Sequence, residues 1–216
     1  MPRKILAGLA AASLLAACTT DPYTGEKRVS RTAIGAGAGA LAGAGIGALI
    51  GDHRGRNAAI GAGIGALSGA AVGAYMDRQA AKLRDELAGT GVSVTKVGNN
   101  IVLNMPGNVT FATDQSDVQA SFYPVLNSVA KVLKEYEKTL VHVTGHTDST
   151  GGYQYNMSLS QRRADSVASY LAAQGVQAVR LQARGFGPDR PVAGNETPEG
   201  RQQNRRVEIT LEPLTA

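Results

Sequence analysis

Between residues 34 and 76 glycine returns at every fourth position, at 35, 39, 43, 47 and 51 and again at 61, 65, 69 and 73. Nothing else in the chain limits its fold so strongly. Residues four apart lie nearly on one stripe of a helix, and a stripe without side chains lets a second backbone come close. The two stretches, 34–51 and 58–76, repeat each other, each containing Ile-Gly-Ala-Gly-x-Gly-Ala-Leu. In water such helices are poor, because each glycine costs about 1 kcal/mol against alanine. In a bilayer or against a partner helix the close approach gains dispersion contacts instead. Each stretch would span about 27 Å as a helix at 1.5 Å per residue, close to the thickness of a hydrocarbon core. Residues 52–57 would then be the turn of a Gly/Ala-rich helical hairpin over 34–76. Two alternatives stay open: a hairpin in water or on a surface, and a low-complexity spacer. Neither stretch can build a sizeable core, so a compact domain has to come from the rest of the chain.

That domain begins where the texture changes, near residue 92. The charged segment 77–91 reads as a linker helix ending at Gly89-Thr90-Gly91. Residues 92–97 alternate as a strand, Gly98-Asn99-Asn100 supplies a hairpin turn, and 101–103 open a second strand. Apolar residues recur at helical spacing over 122–133 and again over 158–173, the second helix stopped by Gly175. Strands are expected at 139–144, 179–183 and 206–211, with a Gly/Pro-rich loop before the last. Helices and strands alternate, giving an α/β (α+β two-layer) domain over 92–213: a mixed sheet with two helices on one face.

The formal charge of +5 is not concentrated on this domain. Residues 92–216 hold twelve basic and eleven acidic side chains, with few aromatics, which excludes a basic, base-stacking surface for nucleic acid. A single cysteine, Cys18, excludes an intrachain disulfide. Arg3 and Lys4 followed by an apolar run to Leu15 have the form of a secretory signal, too short for a membrane span. The run ends in Leu15-Ala16-Ala17-Cys18, which resembles the bacterial lipobox. That resemblance implies cleavage after residue 17, acylation of the Cys18 thiol, and a polar lipid-anchored tether over 18–33. Each buried acyl methylene adds about 0.8 kcal/mol of membrane affinity, so several chains hold firmly. Thr19, in place of an aspartate after the cysteine, implies the outer membrane by the same resemblance.

Functional chemistry concentrates in Gly145-His146-Thr147-Asp148 and the following Asn156-x-x-Leu159-Ser160-x-x-Arg163-Ala164. Asp148 sits on a Gly-rich turn after an apolar run, and Asn156 and Arg163 on the helix beyond it. An acceptor-only carboxylate and a planar five-donor guanidinium together suit a ligand bearing an ammonium and a carboxylate. An enzyme would need a nucleophile with a base, or carboxylates with split pKa values, and no motif holds a base beside Ser149 or Thr150. His142 and His146, four apart on a strand and turn, do not have the helical spacing that converges on a metal. Neither catalysis, nor a metal, nor a cofactor is expected.

These blocks, with Gly185-Phe186-Gly187 and Asn204-Arg205-Arg206-Val207-Glu208-Ile209, resemble the OmpA-like domain over roughly 92–211. With the lipobox and glycine zipper in front, the chain is similar to outer-membrane lipoproteins carrying that domain. The resemblance implies non-covalent binding of peptidoglycan through the diaminopimelate of its stem peptide, with the domain facing the periplasm. Asp148 would receive the ammonium and Arg163 the carboxylate, Asp148 also offsetting the charge of Arg163 in the empty pocket. Asn156 would hold the turn or the ligand backbone, Leu159 and Phe111 would wall the aliphatic stem, and amides around Thr147 would add donors. Asn204, Arg205 and Arg206 are expected to tie the last strand to its loop. The family commonly places an acid after the phenylalanine; here it is Ala112, so only a backbone contact survives there. The alternative role is a membrane oligomer, pore or assembly scaffold formed by the glycine zipper and positioned by the wall-binding domain.

Overall fold

The computed structural model describes residues 18–20, 27–29, 64–67 and 69–215. The signal segment 1–17, the first glycine stretch 34–51 and the turn at 52–57 lie outside the described residues. In the tether, strand β1 (Cys18–Thr20) pairs antiparallel with β2 (Lys27–Val29), Cys18 opposite Val29.

The second glycine stretch differs from the single helix expected over 58–76. Gly65 has a φ of +89°, a left-handed conformation that a helix does not continue through. Leu67 then forms a parallel bridge to Thr215, and its amide donates to the Leu214 carbonyl at 2.7 Å. Helix α1 (Gly69–Glu86) starts only after this break and runs through the boundary expected at 76. Its cause is a stripe that the glycines mask in the sequence: Val72, Met76, Ala80, Leu83 and, just past the end, Leu87 are all buried in the domain core. Among the described residues no helix is long and apolar enough to cross a membrane.

The domain sheet contains β3 (Ser93–Val97), β4 (Asn100–Pro106), β5 (Thr139–His146), β6 (Leu181–Gly185) and β7 (Arg206–Pro213). Their order across the sheet is β3-β4-β7-β5-β6, antiparallel except for the β5–β6 pair. Alternation in β4 turns Ile101, Leu103 and Met105 to one face, where they join Val141, Val143, Val207, Ile209 and Leu211. A short helix α2 (Gly107–Thr110) follows β4. Helices α3 (Tyr123–Glu135) and α4 (Tyr153–Ala173) cover the apolar face as expected, and α1 packs into the same core as a third helix. A last short helix, α5 (Pro198–Asn204), occupies the segment read as loop; Thr197 caps it by accepting from the Gly200 amide.

The fully buried Arg180 guanidinium closes one end of the sheet. It donates to the carbonyls of Leu133, Tyr136 and Thr139 at 2.7–3.0 Å, satisfying the last carbonyls of α3 with a cation where the helix dipole favours one.

Two glycines fix α4 at the other end. Gly145 and Gly185 are partners in the parallel β5–β6 register. A Cβ on Gly145 would lie 2.1 Å from the Ser160 carbonyl oxygen, and one on Gly185 would lie 2.3 Å from the Gln161 nitrogen. The helix therefore rests directly on two strand backbones and bonds to them. Gln161 Oε1 accepts from the Gly185 amide at 2.7 Å, and Ser160 Oγ from the Gly187 amide at 2.8 Å. We expect Gly145→Ala to destabilise the domain by about 3 kcal/mol, because backbone cannot yield to the added methyl. Gly73→Ala in α1, where a Cβ meets nothing within 4 Å, is expected to stabilise by about 0.5–1 kcal/mol through helix propensity. Urea denaturation midpoints of the two variants check both signs.

Candidate functional site

Beyond the C-terminal end of β5 the chain turns through Asp148 to Gly151 into the first turn of α4. This turn, the 107–114 segment and α5 enclose a cavity of about 550 Å³. Phe111, Thr147, Asp148, Asn156, Leu159 and Arg163, the residues singled out by the sequence, all line it. The paired glycines bring this about: with α4 seated on Gly145, its first three turns face the Asp148 turn.

Asn156, Asp148 and Arg163 are each held by hydrogen bonds. Asn156 Nδ2 donates to the Thr150 carbonyl at 2.8 Å, so it braces the turn. Asp148 Oδ1 accepts from the Thr150 amide at 2.9 Å, and Oδ2 pairs with Arg205 Nη1. The Thr147 amide donates to the Gly187 carbonyl at 2.9 Å, while its buried hydroxyl has no hydrogen-bond partner among the described residues. Leu159 and Phe111 are buried apolar walls. Arg163 lies over the Phe111 ring, its central carbon 5.0 Å from the centroid. Its Nε donates to the Gln115 carbonyl at 2.9 Å and its Nη2 approaches the Ala112 carbonyl at 3.5 Å. The contact kept at position 112 is thus a backbone one, as the loss of an acidic side chain there required.

One expected pairing is corrected. Asp148 is bonded to Arg205, and the carboxylate that most supports the Arg163 charge is Asp114, across the cavity. Burial lowers the Arg163 pKa from its ordinary value, and Asp114 opposes that shift. For Asp148, burial alone would raise the carboxyl; the Thr150 amide, the Arg205 guanidinium and the Thr150 hydroxyl together hold it below the usual carboxylate value.

The Asn204-Arg205-Arg206 block divides its labour. Asn204 ties the loop as expected, accepting from the amides of Val192 and Ala193 and donating to the Ala193 carbonyl. Arg206 bonds Glu208 and the Arg190 carbonyl. Arg205 instead enters the cavity, as does Arg201 one helical turn before it, together with the half-exposed Tyr155. The β5–β7 register, which sets Arg206 opposite His146, is the signal that places Arg205 beside Asp148. Arg201 has no comparable signal in the sequence, because α5 is only seven residues long.

Comparison with known proteins agrees with this architecture. Residues 110–205 match the OmpA family, and residues 1–77 match the YMGG-like Gly-zipper. A protein of Escherichia coli (strain K12) named "Probable lipoprotein YiaD" is 57% identical over 212 residues, covering 97% of each chain. The "Peptidoglycan-binding protein ArfA" of Mycobacterium tuberculosis is 42% identical over 105 residues, which are 49% of this chain and 32% of ArfA. Among solved structures, the cell wall anchor of the T6SS from Pseudomonas aeruginosa superposes with a TM-score of 0.58 at 36% identity, covering 64% of this chain and 99% of that one.

Behind the cavity, His146 is buried and its ring stacks on Phe186 at 5.7 Å. Burial first, then the charges of Arg206 and Arg190, push its pKa down to about 3 from 6.5. A depressed pKa means that the unfolded chain binds the extra proton between those values. Stability is therefore complete above pH 6.5 and is lost as pH falls toward 3. From pH 7 to pH 5 this amounts to about 2 kcal/mol. In His146→Gln that part of the slope should vanish, as denaturation at the two pH values would show.

Proposed function

Given that the chain belongs to the OmpA family, we propose that its cavity binds peptidoglycan non-covalently, gripping the zwitterionic end of diaminopimelate in the stem peptide. We further propose that acyl chains on Cys18 hold the other end in the outer membrane. The observation that carries the reading is the placement of Asp148 and Arg163 on the lining of one cavity. Asp148 accepts from the Thr150 amide, the Thr150 hydroxyl and Arg205, and an ionised carboxylate has about four lone pairs. The one left accepts the ligand ammonium. Arg163 is braced by Gln115 and Ala112 carbonyls, and its Nη edge is offered to the carboxylate with the planar geometry that favours bidentate pairing. Leu159 and the Phe111 ring flank the aliphatic chain between the two charged ends. No group in this set acts as nucleophile or base; the cavity holds its ligand unchanged.

The relatives support this direction. The ArfA name describes peptidoglycan binding, and the Pseudomonas aeruginosa structure is of a cell wall anchor. The full-length relative is named a lipoprotein. Two attachments on one chain reinforce each other: once the lipid is inserted, the domain meets the wall at a high effective concentration, so modest affinity for a single stem suffices.

The test uses the full chain in detergent with purified sacculi. Asp148→Ala and Arg163→Ala should each weaken co-sedimentation at least about thirty-fold, since truncating one partner of a buried charge pair costs about 2 kcal/mol or more. Free diaminopimelate should compete. Variants that stay folded and still pellet like wild type would show that the site lies elsewhere. Separately, Cys18→Ser expressed in cells should move the chain from the membrane fraction to the soluble one and abolish palmitate labelling.

A further inference from the structure

The cavity holds more positive charge than a zwitterion needs. Its lining includes Arg163, Arg201 and Arg205 against Asp114 and Asp148, a surplus of one positive charge. A zwitterionic end group brings no net charge and leaves that surplus standing. The cavity is also larger than the end group. Five non-hydrogen atoms at about 30 Å³ each, the volume share of a water, come to about 150 Å³, against about 550 Å³ of space.

The excess charge is localised. Arg201 and Arg205 stand four residues apart at α5 and its C-cap, where the Arg205 amide bonds the Arg201 carbonyl. Side chains at that spacing share one helix face. Arg201 is fixed from behind: its Nη1 donates to the carbonyls of Asn195 and Glu196 at 2.9 and 3.2 Å. Arg205 is fixed by Asp148 through its own Nη1. Two guanidiniums of like charge are thus braced on the lining of one cavity, Arg205 by the Asp148 carboxylate and Arg201 by neutral carbonyls. Like charges lining one cavity repel, and an arrangement that keeps them there favours an anion.

We propose that Arg201, with the outward edge of Arg205, forms a second carboxylate subsite that reads a free carboxyl of the stem peptide separate from the diaminopimelate head group. The inference rests on the wall-binding reading above and adds a specificity to it. In a stem peptide the candidates are the α-carboxyl left free by the γ-glutamyl linkage and the C-terminal carboxyl. Amidation of either removes the charge and converts an acceptor-only group to one that also donates, which a guanidinium cannot use. Arg201 is therefore the residue that makes the protein distinguish acidic from amidated wall.

The experiment is calorimetric titration of the full chain in detergent with the tetrapeptide L-Ala-γ-D-Glu-diaminopimelyl-D-Ala. The peptide is used as the free acid, with the glutamyl α-carboxyl amidated, and with the C-terminal carboxyl amidated. Wild type should bind one of the amidated peptides about ten-fold more weakly than the acid, and Arg201→Gln should bind that pair equally, the two changes being non-additive. Equal binding of all three peptides by wild type, or an undiminished preference in Arg201→Gln, overturns the proposal while leaving the zwitterion site intact. Absence of binding to all three, with free diaminopimelate also inert, sinks the underlying reading and this one with it. Because Nη1 of Arg201 also ties the 195–196 carbonyls, Arg201→Gln is checked by its melting temperature. If that falls, Arg201→Lys is read in its place. There the preference should drop to about three-fold for want of a planar fork, and a full ten-fold preference overturns the proposal.

Discussion

The contact on which the rest depends is the absence of side chains at Gly145 and Gly185. Partnered across two parallel strands, they let α4 touch the sheet backbone, with the Ser160 carbonyl and the Gln161 amide where Cβ atoms would otherwise stand. This fixes the helix in depth and in rotation, because hydrogen bonds from Gly185 and Gly187 lock to Gln161 and Ser160. Asn156, Leu159 and Arg163 are then placed by helical geometry alone, one, two and three turns along the same face. The cavity side chains that this helix carries are thereby set on a rigid element. The remaining loop is braced by Asn156.

The electrostatics follow from how the charges are paired in the empty cavity. Asp148 is buried, and a buried carboxylate is costly unless bonded; the Thr150 amide and Arg205 supply the bonds. Arg163 is likewise buried, and its partners are neutral carbonyls with the Phe111 ring beneath it. Such partners orient a guanidinium without cancelling its charge. In the cavity Asp148 is thus compensated directly by Arg205, while Arg163 has carbonyls as its direct partners and Asp114 supporting its charge from across the space.

Much of this was legible in the sequence, for local reasons. Alternation marked the strands and helical spacing marked α3 and α4, since each element has one apolar face turned to a common core. The six side chains named in advance line one cavity because they belong to segments that any sheet with this strand pattern brings to the same edge. What escaped was non-local or disguised. Arg205 meets Asp148 through the β5–β7 register, which no short window contains. Helix α5 has seven residues between loop-forming ones, too few for a periodic signal. The break at Gly65–Leu67 and the start of α1 were hidden by the glycine repeat, whose regularity obscured that Val72 and Met76 begin the stripe completed by Ala80 and Leu83.

The bridge between Leu67 and Thr215 carries a mechanical consequence. It lies past the end of β7 where Thr139 pairs with Pro213, while the cavity lies at the opposite end, beside His146 and Arg206. Between them run the eight residues of β5, about 26 Å at 3.3 Å per residue. A pull between a wall fragment in the cavity and the segment leading toward the N-terminus would act along the central strands. Antiparallel ladder bonds lie perpendicular to the strands, so this direction loads them in shear, all at once, instead of unzipping them singly. The fold is thereby oriented to resist stretching along the one axis on which a tether would be stretched.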